Sequence, residues 1–219
     1  TKILLPNNIM SKFGKDTTSS RMYAVFSNFY TDLNNVELRD FTVDFNVDGG
    51  NFYINAEQNN PNITSGRLVY GINLAPDFKT VYFHVNRVRF KDSWSHNSIM
   101  IGSRTNVPLR NDKITIKECV FDGAGDGVFF DKLRNVVVDH SSIYVASLNS
   151  VVSDCEFYNT VGSVVSCGIE FHNFGEVKNC SFSNFTVPLF AVSLEGVGCD
   201  IKFTSNTISG ATYAFAVDC

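Results

Sequence analysis

The sequence predicts an all-β solenoid of about seven coils with three strands in each coil. The first observation is a recurring frame: two apolar residues in alternation, a small or amide reference residue three positions later, and a further apolar residue two positions after that. Alternation of period two is typical of a β-strand with one buried face, and the change of phase at the reference residue indicates a corner where a second strand begins. After most copies a third apolar alternation follows. An internal repeat of this kind fixes the architecture before any single residue is interpreted.

The frame is clearest around Cys119, where Ile114 and Ile116 precede the reference residue and Phe121 follows it. Seven copies are present, and their reference residues are Phe41, Asn86, Cys119, Ser141, Cys155, Cys180 and Asn206. The third alternations occupy residues 98–102, 127–131, 168–172, 189–194 and 213–217. The step from Ser141 to Cys155 is too short for three strands. Either that coil is truncated at Ser150, or residues 136–143 are an insertion within one longer coil.

Equivalent positions of a solenoid stack at the inter-strand distance of about 4.8 Å, so the small reference residues are expected to form an internal column at one corner. Three of the six cysteines, Cys119, Cys155 and Cys180, fall in this column. The other three, Cys167, Cys199 and Cys219, have no spacing typical of a metal site. We therefore expect reduced and buried thiols, no metal, no cofactor, and folding in a reducing cytoplasm.

The composition fits one sizeable core. The chain has 219 residues, of which 44% are hydrophobic and 18% are charged, and no linker divides it. We predict one domain over residues 1–219, with an entry segment at 1–34 that contains a possible edge strand at 22–26, and coils at 36–219. The 20 phenylalanines suit a core in which aromatic rings stack from one coil to the next. A β-sandwich is the alternative, but its closest hairpin signal, Asp48-Gly49-Gly50, is followed by a polar stretch.

Charge and hydropathy argue against several classes of partner. The net charge of −4 and the absence of a basic cluster argue against nucleic acid. The sequence has no apolar run of about 18 residues, so we expect no membrane insertion. A solenoid needs a cap on each end, whereas this chain starts almost at once and stops on a strand, so we expect a fragment of a longer protein.

The seven copies together resemble the right-handed parallel β-helix of the pectin-lyase-like superfamily, which includes pectate lyases, polygalacturonases and many phage tailspike depolymerases. They cover residues 36–219 and are specific for the fold, and they say much less about the reaction. The resemblance implies a right-handed, single-stranded parallel β-helix. Similarity to tailspikes further implies a homotrimer on a virion tail or appendage, folded in the host cytoplasm and acting outside the cell. A secreted protein is the alternative.

Chemistry is expected on side chains that point out of the coil, because core packing takes the inward positions. In the third strands, alternation places on the outside Phe129, Asp131, Glu170, His172 and Glu195. An exposed aromatic ring can stack on the apolar face of a sugar, and packing against a loop or a subunit is the alternative. His96 and Asp92 are candidates to line the same groove from the preceding coil.

A glycine-rich corner at residues 121–128 carries Asp122 and Asp126 directly before a predicted third strand. Glycoside hydrolysis needs one carboxyl group as acid and another as base or nucleophile, about 5 Å or about 6.5 to 9.5 Å apart. Asp126-Gly127-Val128 resembles the Asp-Gly-Ile stretch that carries a catalytic aspartate in polygalacturonases, so Asp126 is the first candidate. That family's paired aspartate, His-Gly and Arg-Ile-Lys do not appear in order, which argues against pectin as the substrate. The alternative is that both aspartates hydrogen-bond the backbone of a tight turn.

The resulting prediction is a phage tailspike-type β-helix that binds and hydrolyses a bacterial surface polysaccharide or a teichoic-acid-like polymer. The predicted catalytic residues are Asp126, Asp122, Glu170 and His172, and the predicted substrate-binding residues are Phe129, Asp131, His96, Asp92 and Glu195. A calcium-dependent lyase is the weaker option, because Arg134 is the only basic residue close to the proposed face. The alternatives are a cellular pectate-lyase-like polysaccharidase and a non-catalytic receptor-binding or structural solenoid of a virion.

Overall fold

The computed structural model describes residues 1–6, 22–28, 34–46, 68–74, 82–93, 97–101, 113–122, 141–147, 150–159, 167–192 and 200–218. Within these ranges the chain is all-β and every strand pair is parallel, which confirms the predicted class. The strands are β1 (Lys2–Leu4), β2 (Met22–Asn28), β3 (Val36–Asp44), β4 (Leu68–Leu74), β5 (Tyr82–Lys91), β6 (Asn97–Ile101), β7 (Lys113–Lys117), β8 (Val120–Asp122), β9 (Ser141–Ser147), β10 (Ser150–Ser153), β11 (Glu156–Tyr158), β12 (Cys167–Lys178), β13 (Ser181–Ser183), β14 (Val187–Val192), β15 (Asp200–Thr204), β16 (Thr207–Ser209) and β17 (Ala216–Asp218). None of the described residues forms a helix that is long and apolar enough to cross a membrane.

The strands pair in two connected sheets. Sheet A contains β1, β3, β5, β7, β8, β10, β11, β13, β15 and β16, and sheet B contains β2, β4, β6, β9, β14 and β17. The first half of β12 pairs in sheet B and its second half in sheet A. In the described part of sheet B, β2 pairs with β4 alone, as expected of an edge strand.

A residue in the left-handed conformation interrupts sheet A at the same register position in six successive repeats. The φ angles lie between 52° and 60° at Asp40, Arg87, Glu118, Asp154, Asn179 and Ser205. Non-glycine residues adopt this conformation rarely, so a column of six is a property of the repeat. The turn is held by backbone hydrogen bonds between repeats, such as the Glu118 N–H to the Ser153 carbonyl at 3.1 Å. In the four later repeats the second strand begins two residues after the left-handed residue, at the predicted change of phase, whereas β3 and β5 run through this position.

The register corrects the predicted reference residue of the second copy. Phe83 pairs with Ile114, and Phe90 pairs with Phe121. The corner position equivalent to Cys119 is therefore Val88, and Asn86 was wrong by two residues. The apolar residues of β5 match the frame with either Asn86 or Val88 as the reference residue. The left-handed turn at Arg87 shows that Val88 is the corner residue.

The copy assigned to Ser141 is also wrong. Residues 141–147 form β9, which lies in sheet B between β6 and β12. Ser150 begins β10, which pairs with β7 in sheet A, so no coil is truncated there. The predicted third strand at 127–131 lies outside the described residues, and β9 fills the place in sheet B between β6 and β12. Six copies therefore align, with corner residues Phe41, Val88, Cys119, Cys155, Cys180 and Asn206.

A stack of four phenylalanines fills the core behind the second strand of each repeat. Phe90, Phe121, Phe157 and Phe182 lie in one register column, and at most 1% of each residue is exposed. Their ring centroids are 5.0, 4.7 and 4.5 Å apart from one pair to the next, and the rings are nearly parallel. Stacked aromatic pairs contribute about 0.5–1.5 kcal/mol each beyond the burial of their area. This column confirms the expected stacking of aromatic rings between repeats.

The predicted cysteine column is present at the corner. Cys119, Cys155 and Cys180 are free thiols and are 1, 1 and 2% exposed. Asn206 occupies the next position, where its Nδ2 donates to the Val177 carbonyl and its Oδ1 accepts from the Cys180 N–H, both at 3.0 Å. Cys167 is free and partly buried. Cys199 and Cys219 lie outside the described residues.

Candidate functional site

The structure describes only part of the predicted site. The residues that lie outside the described ranges are Asp126, Phe129, Asp131, His96 and Glu195. For His172 the structure describes the backbone, which pairs with Ala146 and Val192 in sheet B. Asp122, Glu170 and Asp92 are described in full, and each has a different environment.

Glu170 is buried, in contrast to the prediction that it is presented outside. Its neighbours Ile169 and Phe171 are both fully buried in the core, so alternation turns Glu170 to the other face of sheet B, as predicted. That face is covered, however, because Glu170 is only 4% exposed. Asn73 and Phe190, which belong to the same register column, are 2 and 9% exposed. A buried carboxylate needs partners, and Glu170 has interactions within the chain. Glu170 itself is therefore not accessible to a large substrate.

Asp122 lies in an open cluster on the outer face of sheet A. The cluster, here called the β5–β8–β11 face, consists of Arg89, Asp122, Glu156 and Tyr158. In the register, Arg89 pairs with Val120, Val120 with Glu156, and Asp122 with Tyr158. Phe90, Phe121 and Phe157 of the core stack alternate with these positions, so the four polar side chains point outward.

Two side-chain contacts organise the β5–β8–β11 face. A terminal nitrogen of Arg89 lies 3.1 Å from Oδ2 of Asp122, with 51% of the arginine side chain and 16% of the aspartate side chain exposed. The Tyr158 hydroxyl donates to Oε2 of Glu156 at 2.6 Å. This hydrogen bond, followed by partial burial and the charge of Glu156, raises the pKa of Tyr158 above its usual value of 10.0. Tyr158 therefore remains a neutral donor at neutral pH.

The two carboxyl groups of this face have a separation suited to acid–base chemistry. Asp122 and Glu156 lie on adjacent strands and are offset by two residues, since Asp122 pairs with Tyr158. Strands about 4.8 Å apart and a rise of about 3.3 Å per residue place their Cα atoms about 8 Å apart. Their side chains leave the same face of the sheet. Inverting glycosidases use separations of about 6.5 to 9.5 Å.

Glu156 was missed by the sequence reasoning, although a signal for it exists. It directly follows the corner residue Cys155 and precedes Phe157, which occupies the apolar position of the frame. The alternation that turned Asp122 outward after Cys119 therefore turns Glu156 outward as well. The prediction covered outward residues of the third strands and of the glycine-rich corner, and Glu156 lies on the second strand of its repeat.

Asp92 belongs to a separate ion-pair network at the N-terminal side of this face. Lys91 Nζ lies 3.0 Å from Oδ2 of Asp92 and 3.4 Å from Oδ2 of Asp44. Lys2 Nζ lies 2.8 Å from the same Asp44 oxygen, and this contact ties β1 to the sheet. Burial opposes the ionisation of Asp44, but the hydrogen bonds from Lys2 and from the Asn46 N–H, together with the charge of Lys91, lower its pKa. The ion pairs of Asp92 and Asp44 thus contribute to the stability of the fold.

Neither a metal centre nor a known relative defines the chemistry of the β5–β8–β11 face. Among the described residues, no group of three or more histidine, cysteine, aspartate or glutamate side chains is arranged to hold a metal ion. Comparisons of the chain with protein-family models, with curated proteins and with solved structures found no match.

Proposed function

We propose that the chain folds as a right-handed, single-stranded parallel β-helix of the pectin-lyase-like type, and that it binds and hydrolyses a bacterial surface polysaccharide. The parallel pairing of every described strand, the six aligned corners and the stacked core columns support the fold. The resemblance of the repeat to tailspike depolymerases supports the substrate class. By the same resemblance we extend the proposal to a homotrimer on a virion tail or appendage, and to teichoic-acid-like polymers as further candidate substrates.

The observation that carries the proposed activity is the pair of outward carboxyl groups on adjacent repeats, Asp122 and Glu156. Asp122 is held against the Arg89 guanidinium, which keeps its carboxylate in place to activate a water molecule. Glu156 accepts a hydrogen bond from the Tyr158 hydroxyl and is the second carboxyl group of the proposed acid–base pair. A Cα separation of about 8 Å allows the two carboxyl groups to stand far enough apart to admit a water molecule, as inversion at the anomeric carbon requires.

The surface beside this pair suits a linear sugar polymer. Along the same two register columns, the next repeats present hydroxyl side chains at Ser181, Ser183, Thr207 and Ser209. The Ser183 and Ser209 hydroxyls lie 3.1 Å apart. A row of hydroxyl groups repeating at the strand spacing offers donors and acceptors to successive sugar hydroxyls. A polymer lying along the stacking direction would pass from this row onto the carboxylate pair.

The test is release of products from a panel of bacterial capsular and cell-wall glycans, comparing the wild type with Asp122→Asn and Glu156→Gln. We expect new reducing ends without ultraviolet-absorbing products, and a loss of roughly 10²–10⁴-fold in rate in either variant, since positioned acid–base groups contribute about that much. Asp154→Asn is the matched control, because Asp154 is an exposed acid on the same repeat as Glu156 but at the corner. Full activity of both site variants would refute the assignment of the pair.

A non-catalytic receptor-binding protein is the second candidate. Each carboxyl group of the face already has a side-chain partner, which is also what a rigid binding surface requires. In that case the wild type binds a glycan of the panel and releases no product, and Asp122→Asn weakens binding. An ultraviolet-absorbing product would instead indicate a lyase.

A further inference from the structure

One outward column of sheet A carries a side chain that ends in oxygen in four successive repeats. The register aligns Asp122 with Tyr158, Tyr158 with Ser183, and Ser183 with Ser209. One of these side chains carries a carboxyl group and three carry a hydroxyl group, and none of the four residues is buried. They are here called the acceptor column. A ligand on this face of the sheet can therefore reach each of the four groups.

The three hydroxyl protons of the acceptor column are all donated within the chain. The Tyr158 hydroxyl donates to Oε2 of Glu156 at 2.6 Å. The Ser209 hydroxyl donates to the Phe182 carbonyl at 3.3 Å. The hydroxyl oxygens of Ser183 and Ser209 lie 3.1 Å apart. Because a hydroxyl has one proton and that of Ser209 is already used, Ser183 is the donor in this contact.

The oxygen atoms that face solvent along the column therefore accept hydrogen bonds and have no proton to donate. Asp122 in its ionised form is an acceptor only, and it already accepts from Arg89 at 3.1 Å. A ligand that binds to the column must supply the protons. A sugar hydroxyl has a proton to donate, whereas an ionised carboxylate or phosphodiester has none.

The charge beside the column also disfavours an anionic ligand. Arg89 lies 3.1 Å from Asp122, and Lys91 lies 3.0 Å from Asp92, so an anion would have to compete with these carboxylates. This part of the described surface carries three basic and four acidic side chains, namely Lys2, Arg89 and Lys91 against Asp44, Asp92, Asp122 and Glu156. With every group ionised, their net charge is −1. Like charges brought together on binding are costly.

We propose that the acceptor column binds uncharged, hydroxyl-bearing sugar units, so that the ligand is a neutral polysaccharide rather than a polymer of uronates or phosphodiesters. Ser183 and Ser209 are the residues that determine this preference, because their mutual hydrogen bond leaves only acceptors toward the ligand. The inference rests on the proposed function and narrows it, since it selects against teichoic-acid-like polymers.

The test measures binding and initial hydrolysis rates of the wild type on the neutral capsular and cell-wall glycans of the panel. Each glycan is compared with a derivative in which its primary hydroxyls are oxidised to carboxylates, so the two share a backbone and differ in charge and in donors. Poly(glycerol phosphate) is the phosphodiester probe. We expect the neutral member of a pair to bind about 10-fold or more tightly than its derivative, and poly(glycerol phosphate) to bind no better than the derivative.

Variants of the two serines test the hydrogen-bond argument itself. Ser183→Ala and Ser209→Ala should each weaken binding of the neutral glycan roughly 3- to 10-fold, because each removes one acceptor of the column. Thr204→Ala is the matched control and should bind as the wild type does, because Thr204 is an exposed hydroxyl residue of the same repeat as Ser209 but lies on β15. Ser183→Lys adds donors and a positive charge and should raise the affinity for the carboxylated derivative. A misfolded variant would not show such a gain.

The outcomes separate this inference from the proposed hydrolase. Equal or tighter binding of the carboxylated derivative by the wild type would overturn the inference, as would unchanged binding of the neutral glycan in both alanine variants. Hydrolysis of the derivative at the rate of the neutral glycan would overturn it and leave the hydrolase in place. Preferential binding of neutral glycans without any product would support the inference and refute the hydrolase. Absence of binding to every member of the panel would overturn both.

Discussion

Replacing Phe121 by alanine is expected to lower the free energy of unfolding by about 4 to 5 kcal/mol. Phe121 is fully buried and stacks on Phe90 at 5.0 Å and on Phe157 at 4.7 Å. Truncation of a buried phenylalanine costs about 3–5 kcal/mol, because burial is lost and a cavity remains. The two stacked pairs add about 0.5–1.5 kcal/mol each, so this position lies at the upper end of the range.

Phe121→Leu and Phe215→Ala divide this effect into its parts. Leucine retains most of the apolar volume and loses both ring contacts, so a loss of about 1–3 kcal/mol is expected. Phe215 is 62% exposed, so its truncation should cost about 1 kcal/mol or less. The measurement is urea denaturation followed by circular dichroism, with the slope against urea concentration checked for a common transition. Equal losses for Phe121→Ala and Phe215→Ala, or no loss for Phe121→Leu, would refute the stacking argument.

Three further predictions concern the pH dependence of stability, a closely packed glycine and a side chain at the corner. The folded pKa of Asp44 lies below the 3.8 of an unperturbed aspartate, so its ion pairs stabilise the chain above about pH 4. That stability is lost as the pH falls through the folded pKa, and Asp44→Asn should flatten the acid limb of a plot of unfolding temperature against pH. Gly175→Ala would bring a Cβ onto the buried ring of Phe171, and overpacking of about 1–3 kcal/mol should exceed the entropic gain of about 0.4–1 kcal/mol in urea denaturation. Asn206→Ala leaves one corner carbonyl and one N–H without their side-chain partner, and thermal unfolding should report a loss of about 1–3 kcal/mol.

The repeat could be predicted from sequence wherever the apolar residues match the frame in only one alignment. The copies at Cys119, Cys155 and Cys180 each have a single fit, and the register confirms them. Around β5 the apolar residues continue past the corner, so the frame fits at Asn86 and at Val88 alike. The structure decides for Val88, since the left-handed turn falls on Arg87, a residue type with no special preference for that conformation. The phase of that copy was therefore outside the reach of a single sequence.

The same limit explains the erroneous copy at Ser141. A third strand also carries apolar residues in alternation, as Ile143 and Val145 show, so its sequence satisfies the later part of the frame. What separates the two strand types is their partner. β9 pairs with β6 and β12 in sheet B, and neither partner is adjacent to β9 in the chain. The apolar pattern of one strand carries no information about such distant partners.

The candidate site shows what strand alternation can and cannot predict. Alternation gives the direction of a side chain, and it turned Glu170 out of the core correctly, whereas Asp122 was predicted from the glycine-rich corner. Whether the outer face of a sheet is exposed depends on which other residues pack against it, and the two sheets differ in this exposure. In sheet B the column of Asn73, Glu170 and Phe190 is covered, whereas in sheet A the column neighbours Arg89 and Glu156 are exposed. If a polymer is the ligand, the described surface therefore admits it along sheet A, and the carboxylate that pairs with Asp122 is the one on the next repeat of that sheet, Glu156, rather than Glu170.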